Sequence, residues 1–113
     1  MDSLVNYLSA GLHPVQIELR PEKTVAAFKS FIDRGYVHVK FTDTEGGTEL
    51  GVRVNSERCD FSSADFSRGT GNVKLVGTLT LNSVRVECTA DVALESLSGQ
   101  GQLAPAAEES APN

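Results

Sequence analysis

Val73 to Leu94 reads VKLVGTLTLNSVRVECTADVAL, an alternation of apolar and polar side chains on both sides of Asn82-Ser83. Period-two alternation is the signature of a strand with one buried face, and Asn-Ser between two such runs is hairpin-turn chemistry. Placing Asn82-Ser83 in a two-residue turn sets Leu81 opposite Val84, Leu79 opposite Val86, Gly77 opposite Cys88, Leu75 opposite Ala90 and Val73 opposite Val92. The other face then sets Lys74 against Asp91 and Thr80 against Arg85. One register gives an all-apolar face and an opposite-charge pair, so a long antiparallel hairpin is specified. Gly77 opposite Cys88 leaves a shallow spot in mid-sheet, suited to a bend, a close backbone approach or the packing of another apolar group.

The same reading extends upstream. Val37, Val39 and Phe41 alternate with Tyr36, His38 and Lys40, and a second alternation runs through Leu50, Val52 and Val54. With Glu45-Gly46 as the turn, Phe41 faces Leu50, Val39 faces Val52, Val37 faces Val54, and His38 lies opposite Arg53. Val15, Ile17 and Leu19 form an earlier strand, started by Pro14 and closed by Pro21. From Pro21-Glu22 onward Val25, Phe28, Phe31 and Ile32 recur at helical spacing, with Gly35 as the left-handed stop. Strands one and two, joined through this helix, are expected either parallel and adjacent or separated by another strand. Near the N-terminus, Asp2 or Ser3 can cap a short helix carrying Leu4, Val5, Leu8 and Leu12 on one face.

The expected architecture is therefore α+β. About five mostly antiparallel strands, in the order β-α-β-β-loop-β-β, carry one main helix and the short N-terminal helix on one face. The 113 residues, 40% of them hydrophobic, fit a single domain, placed at residues 1–103. Residues 104–113 lack any large apolar side chain and read as a disordered Ala/Pro tail; Glu108 and Glu109 lie in it, leaving −3 of the net −5 on the body.

Composition excludes several functions. Fifteen Asp plus Glu against ten Lys plus Arg argue against a nucleic-acid partner. No apolar run approaches the length of a membrane span, and Asp2 and Asn6 break any leader-like pattern, so a cytoplasmic protein with reduced thiols is expected. Two Cys are too few for a disulfide scaffold.

Catalytic chemistry has little to draw on. His13, beside Pro14, is expected as an exposed linker residue, and His38 as a surface residue on its strand. Neither His-x-x-x-His nor Cys-x-x-Cys occurs; a zinc site would require His38, Cys59 and carboxylates to converge. Cys59 with His38 and an Asp would form a nucleophile–base set, but Asp60 beside the thiol disfavours the thiolate. No catalytic residue, metal or cofactor is assigned, and an enzyme is the weaker reading.

Residues 55–72 form a long connection that repeats Asp-Phe-Ser at Asp60-Phe61-Ser62 and Asp65-Phe66-Ser67. Such a segment can be a polar loop pinned by Phe61 and Phe66, a short extra strand or helical turn, or a binding lid with Arg58 or Arg68 reaching an anion. Ser67-Arg68-Gly69-Thr70-Gly71 precedes a strand, which is the wrong context for a phosphate cradle.

The leading expectation is a small non-catalytic module that acts through protein–protein contact and self-associates, with a twofold dimer as the default. The alternative is a small-molecule binder or small enzyme. Its apolar pocket would lie between helix and sheet beneath the 55–72 loop, with His38, Arg53, Arg58, Phe61, Phe66 and Arg68 as candidate binding residues.

Overall fold

The computed structural model describes residues 3–19 and 22–105. The long hairpin forms as β5 (Thr70–Leu81) and β6 (Val84–Ala93), and every pair expected from the alternation is present, from Leu81↔Val84 to Val73↔Val92. Asn82 and Ser83 make the turn at φ of 50° and 69°, the double left-handed geometry that matches the twist of the flanking strands.

The remaining strands close around this hairpin. Strand β1 (His13–Glu18) lies antiparallel to β2 (Tyr36–Phe41), which is antiparallel to β3 (Thr48–Val54). A two-residue strand, β4 (Ala64–Asp65), pairs outside with β5, and a seventh, β7 (Ser98–Pro105), pairs with both β6 and β1. The sheet order is β3-β2-β1-β7-β6-β5, and β3 pairs again with β5. The result is a closed six-stranded antiparallel barrel with β4 outside it.

This overturns the expected α+β sheet of about five strands with helices on one face. One-faced strands suit either design, because a barrel covers each inner face with the strands opposite instead of with a helix. What the alternation could not reveal was the closing strand. Strand β7 contains one large apolar residue, Leu103, which is fully buried; Gly101, Ala104 and two Gln fill much of the rest. Small residues are required there: a Cβ on Gly99 would collide with the Asp91 carbonyl group of β6, and one on Gly101 would crowd Ala90 and Val15. Ala104 and Pro105, assigned to the tail by composition, belong to β7, while residues 106–113 lie outside the described residues.

Two further corrections concern register and direction. Strands β1 and β2 are neighbours but antiparallel, with Val15 opposite Phe41. The β2–β3 hairpin is slipped by two residues from expectation: Val39 faces Leu50 and Val37 faces Val52, so His38 lies opposite Gly51 and Arg53 opposite Tyr36. A shift of two preserves which side chains point inward, which is why alternation alone does not discriminate. The longer turn sits at residues 42–47, where Gly46 and Gly47 take positive φ.

Helix α2 (Val25–Arg34) begins later than Pro21 suggested. The Thr24 side chain caps it by accepting from the Ala27 N–H, and Gly35 stops it at φ 86°. Phe28 and Ile32 are its buried face. Helix α1 (Ser3–Ser9) buries Val5 and Leu8 in the same core, whereas Leu12 lies beyond the helix and is exposed. The Asp2 cap and Pro21 fall outside the described residues. No described helix is long and apolar enough to cross a membrane.

Leu103→Ala should cost about 2–5 kcal/mol, as for a buried core leucine, because β7 closes the barrel through it. Urea unfolding followed by circular dichroism measures this; a cost near that of a surface substitution would show that β7 is not part of the core.

Candidate functional site

Barrel closure rests on two residue pairs, Arg53↔Thr78 and Val54↔Gly77. Gly77 makes it possible: a Cβ there would collide with the Arg53 carbonyl oxygen and Val52 Cγ1. The shallow spot read from the sequence is thus a close backbone approach by β3. Beyond it, the 55–72 connection takes over the same edge of β5. The Asn55 N–H donates to the Val76 carbonyl at 2.8 Å, Asp60 and Lys74 exchange backbone bonds at 2.9 Å, and β4 pairs with Gly71 and Thr70.

In the other direction the ladder stops. Backbone groups of Lys74, Val76 and Thr78 point away from β6 toward this edge, and strand alternation puts Thr80 in the same series. Arg53 and Asn55 point from β3 toward β5, so Gly51 belongs to that series. Gly51 and Thr80 therefore direct backbone polar groups into an opening that the two strands do not bridge by pairing.

This opening is a groove of about 250 Å³ lined by Tyr36, Gly51, Arg53, Thr78, Leu79, Thr80 and Arg85. The Tyr36 ring lies over Gly51, where any Cβ would strike its hydroxyl group. Arg53 and Arg85 have no ion-pair partner among the described residues, in contrast to Arg58, which is paired with Glu87. A second recess, of about 370 Å³, continues from Arg53 and Thr78 past Val54, Asn55 and Ser56 to Glu57.

The candidate binding residues read from sequence do not form one site. Arg53 alone lines the seam groove. His38 faces Glu49 at 3.5 Å and lines a separate recess of about 160 Å³ with Glu18, Phe31 and Tyr36. Arg58 is occupied by Glu87, and Arg68 is exposed, 3.8 Å from Asp65. Phe61 and Phe66 lie 6.2 Å apart by ring centroid, pack on the core and line a recess of about 210 Å³ with Lys29, Ile32 and Asp33. The pocket imagined between helix and loop thus has a physical counterpart, but neither His38 nor any of the three arginines lines it.

The Asp-Phe-Ser repeat has a structural explanation. Asp60 Oδ1 accepts from the Ser62 N–H and hydroxyl at 2.9 and 2.6 Å, and Asp65 Oδ1 accepts from the same groups of Ser67 at 3.1 Å. Each Asp and Ser closes a local turn while the intervening Phe anchors it. These bonds hold the Asp60 carboxyl below its ordinary value.

Tyr36 and Gly51 on one side, and Thr78, Leu79, Thr80 and Arg85 on the other, were missed as lining residues because the two groups meet only through β3–β5 closure. Gly77 was the one local signal of it. A second polar cluster surrounds His13. His13, expected in an exposed linker, is 6% exposed; its Nδ1 lies 2.8 Å from Asp43 Oδ2 and its Nε2 2.8 Å from the Tyr7 carbonyl oxygen. The Tyr7 hydroxyl donates to the same Asp43 oxygen at 3.1 Å.

The two His13 ring nitrogens thus face Asp43 and the Tyr7 carbonyl. Held at both nitrogens, the ring ties α1 to β1 and to the 42–47 turn. The thiols are poorly suited to attack. Burial pushes Cys88 up to about 12, and burial also raises Cys59, against a bond from the Val76 N–H. Both thiols are free, and no group of three His, Cys, Asp or Glu side chains suited to a metal occurs among the described residues. No family model matches the chain, and no curated protein does.

The His13 bond, opposed by desolvation and reinforced by Tyr7, holds the Asp43 carboxyl below its ordinary value of 3.8. A depressed carboxylate stabilises the fold above its unfolded value, and that contribution is lost as pH falls through the lower folded value. The thermal midpoint should therefore drop on acidification below about pH 4, and Asp43→Asn should lower it at neutral pH and flatten part of that drop. Midpoints recorded from pH 3 to 7 for both proteins check this; an unchanged acid limb in Asp43→Asn would remove Asp43 from the account.

Proposed function

We propose that this chain is a small non-catalytic cytoplasmic module that binds an extended segment of a protein partner at the open seam between β3 and β5. The observation that carries the reading is the interruption of the ladder after Arg53↔Thr78, with Gly51 and Thr80 aimed into the gap. An added strand would satisfy those backbone groups, the usual source of affinity in strand addition. The rest of the barrel has few open edges, since closure pairs most strands on both sides.

A non-catalytic role accords with the side chains. His13 is held between two acceptors and the Cys88 thiol is buried. The self-association expected from an open sheet is less favoured as the use of this seam. A twofold dimer through it would bring Arg53 and Arg85 of both copies together, and like charges facing each other oppose pairing.

Thr80→Pro provides the test. Its N–H points to the seam and not to β6, so proline removes the edge donor while sparing the β5–β6 ladder. Heptapeptides selected on the full chain from a displayed random library should bind the parent and lose about tenfold or more, roughly 1.4 kcal/mol, on Thr80→Pro. Amide shifts on binding should centre on Gly51 and Thr80. Failure to select any peptide, equal binding to Thr80→Pro, or shifts centred elsewhere would overturn the reading.

A further inference from the structure

Resting on that reading, we propose that the segment taken up at the seam is the C-terminal end of a polypeptide, its free carboxylate held at the closed end of the groove by Arg53 and Arg85. The seam is a wedge with a vertex. Arg53↔Thr78 and Val54↔Gly77 join β3 directly to β5, so no third strand fits in those rows. Two residues on, about 6.6 Å along the strands, Gly51 and Thr80 no longer pair, and the groove opens between them. A segment added there and followed toward Arg53 runs into the joined backbones. It cannot continue inward, because Val52 is fully buried in the core below. It ends at the vertex or leaves the sheet there.

Charge favours an ending and selects which end. Arg53 and Arg85 line the groove, and neither has an ion-pair partner among the described residues. Tyr36, Thr78 and Thr80 add hydroxyl groups, and no acidic side chain is among the lining residues. Glu87, opposite Thr78 in the β5–β6 ladder, is engaged by Arg58. An α-carboxylate answers guanidinium donors with two oxygens, whereas an α-ammonium would add a third cation. A carboxylate at the vertex also sets direction. The segment lies antiparallel to β5, which runs away from the vertex, and parallel to β3, which runs toward it. None of its side chains enters the row of Arg53; the Arg53 side chain borders the groove from its own row. The overlap is short, since β5 continues only one residue beyond Thr80. With few backbone bonds to form, the terminal charge carries a large share of the binding, as in other captures of chain ends.

The test uses the full chain and two displayed libraries of random heptapeptides, one ending in a free C-terminus and the other followed by a constant Gly-Ser linker. Binders should come from the free-ended library. Made as fluorescent peptides, they should bind about tenfold tighter as the free acid than as the C-terminal amide or with Gly-Ser appended. The acid form should weaken between about 0.05 and 0.3 M salt. The double variant Arg53→Gln/Arg85→Gln should bind acid and amide alike.

If acid, amide and extended peptides bind equally and all lose affinity on Thr80→Pro, strand addition stands and recognition of a chain end is overturned. If neither library yields a binder, both readings fall together. An acid preference that survives in Arg53→Gln/Arg85→Gln, with circular dichroism matching the parent, would show that these arginines do not hold the carboxylate and overturn the proposal.

Discussion

The approach of β3 to β5 at Gly77 is the constraint on which the rest of the molecule depends. Two residue pairs there turn a curled sheet into a barrel. Without closure, Val52 and Leu75 would lie near opposite margins of an open sheet and need a helix to cover them. With it, both are fully or almost fully buried, together with Phe41, Val86 and Val92, in one core that α1 and α2 complete. Gly77 is what allows the two backbones to approach, since the space a Cβ would need is filled by the Arg53 carbonyl and Val52. Because β5 runs on well past that contact while β3 parts from it, the element that closes the core also leaves the groove.

The edge of β5 shows how one strand is divided among several partners. The 55–72 connection pairs along it from Thr70 to Val76, β3 takes Gly77 and Thr78, and the stretch toward Leu81 borders the opening. The paired Asp-Phe-Ser turns allow a polar connection to act as an edge cover. Asp60 and Asp65 satisfy nearby backbone N–H groups, and Phe61 and Phe66 hold the segment to the core. Its length is thereby explained by covering most of an edge, with no lid needed.

Alternation made the β5–β6 hairpin legible to the residue, because both faces of one register had to agree. It identified the inward residues of β2 and β3 but not their pairing, since a two-residue slip leaves the inward set unchanged. It could not find β7, where close contact with β6 and β1 selects glycine and short side chains over large apolar ones. His13 was misjudged for a related reason. Its burial depends on Asp43, 30 positions away, and on a carbonyl of α1, and no local pattern records either contact. Of the residues proposed for binding, only Arg53 met the groove; Arg85 was visible as Thr80's partner but not as a neighbour of β3.

The two polar clusters illustrate why the groove, and not the histidine, is the better candidate for function. Tyr7, His13 and Asp43 are directed at one another, and what they stabilise is the attachment of α1 to the barrel. Such a set is complete within the chain. Arg53 and Arg85 are the reverse: fixed in adjacent rows on a shared face, beside backbone groups that the ladder leaves behind, they have no ionic partner among the described residues. In a chain with net charge −5, carboxylates for pairing are plentiful, and Arg58 and Lys29 both have them. The complementarity missing at the seam is therefore local, and an incoming chain that brings a strand's backbone bonds to Gly51 and Thr80 supplies it.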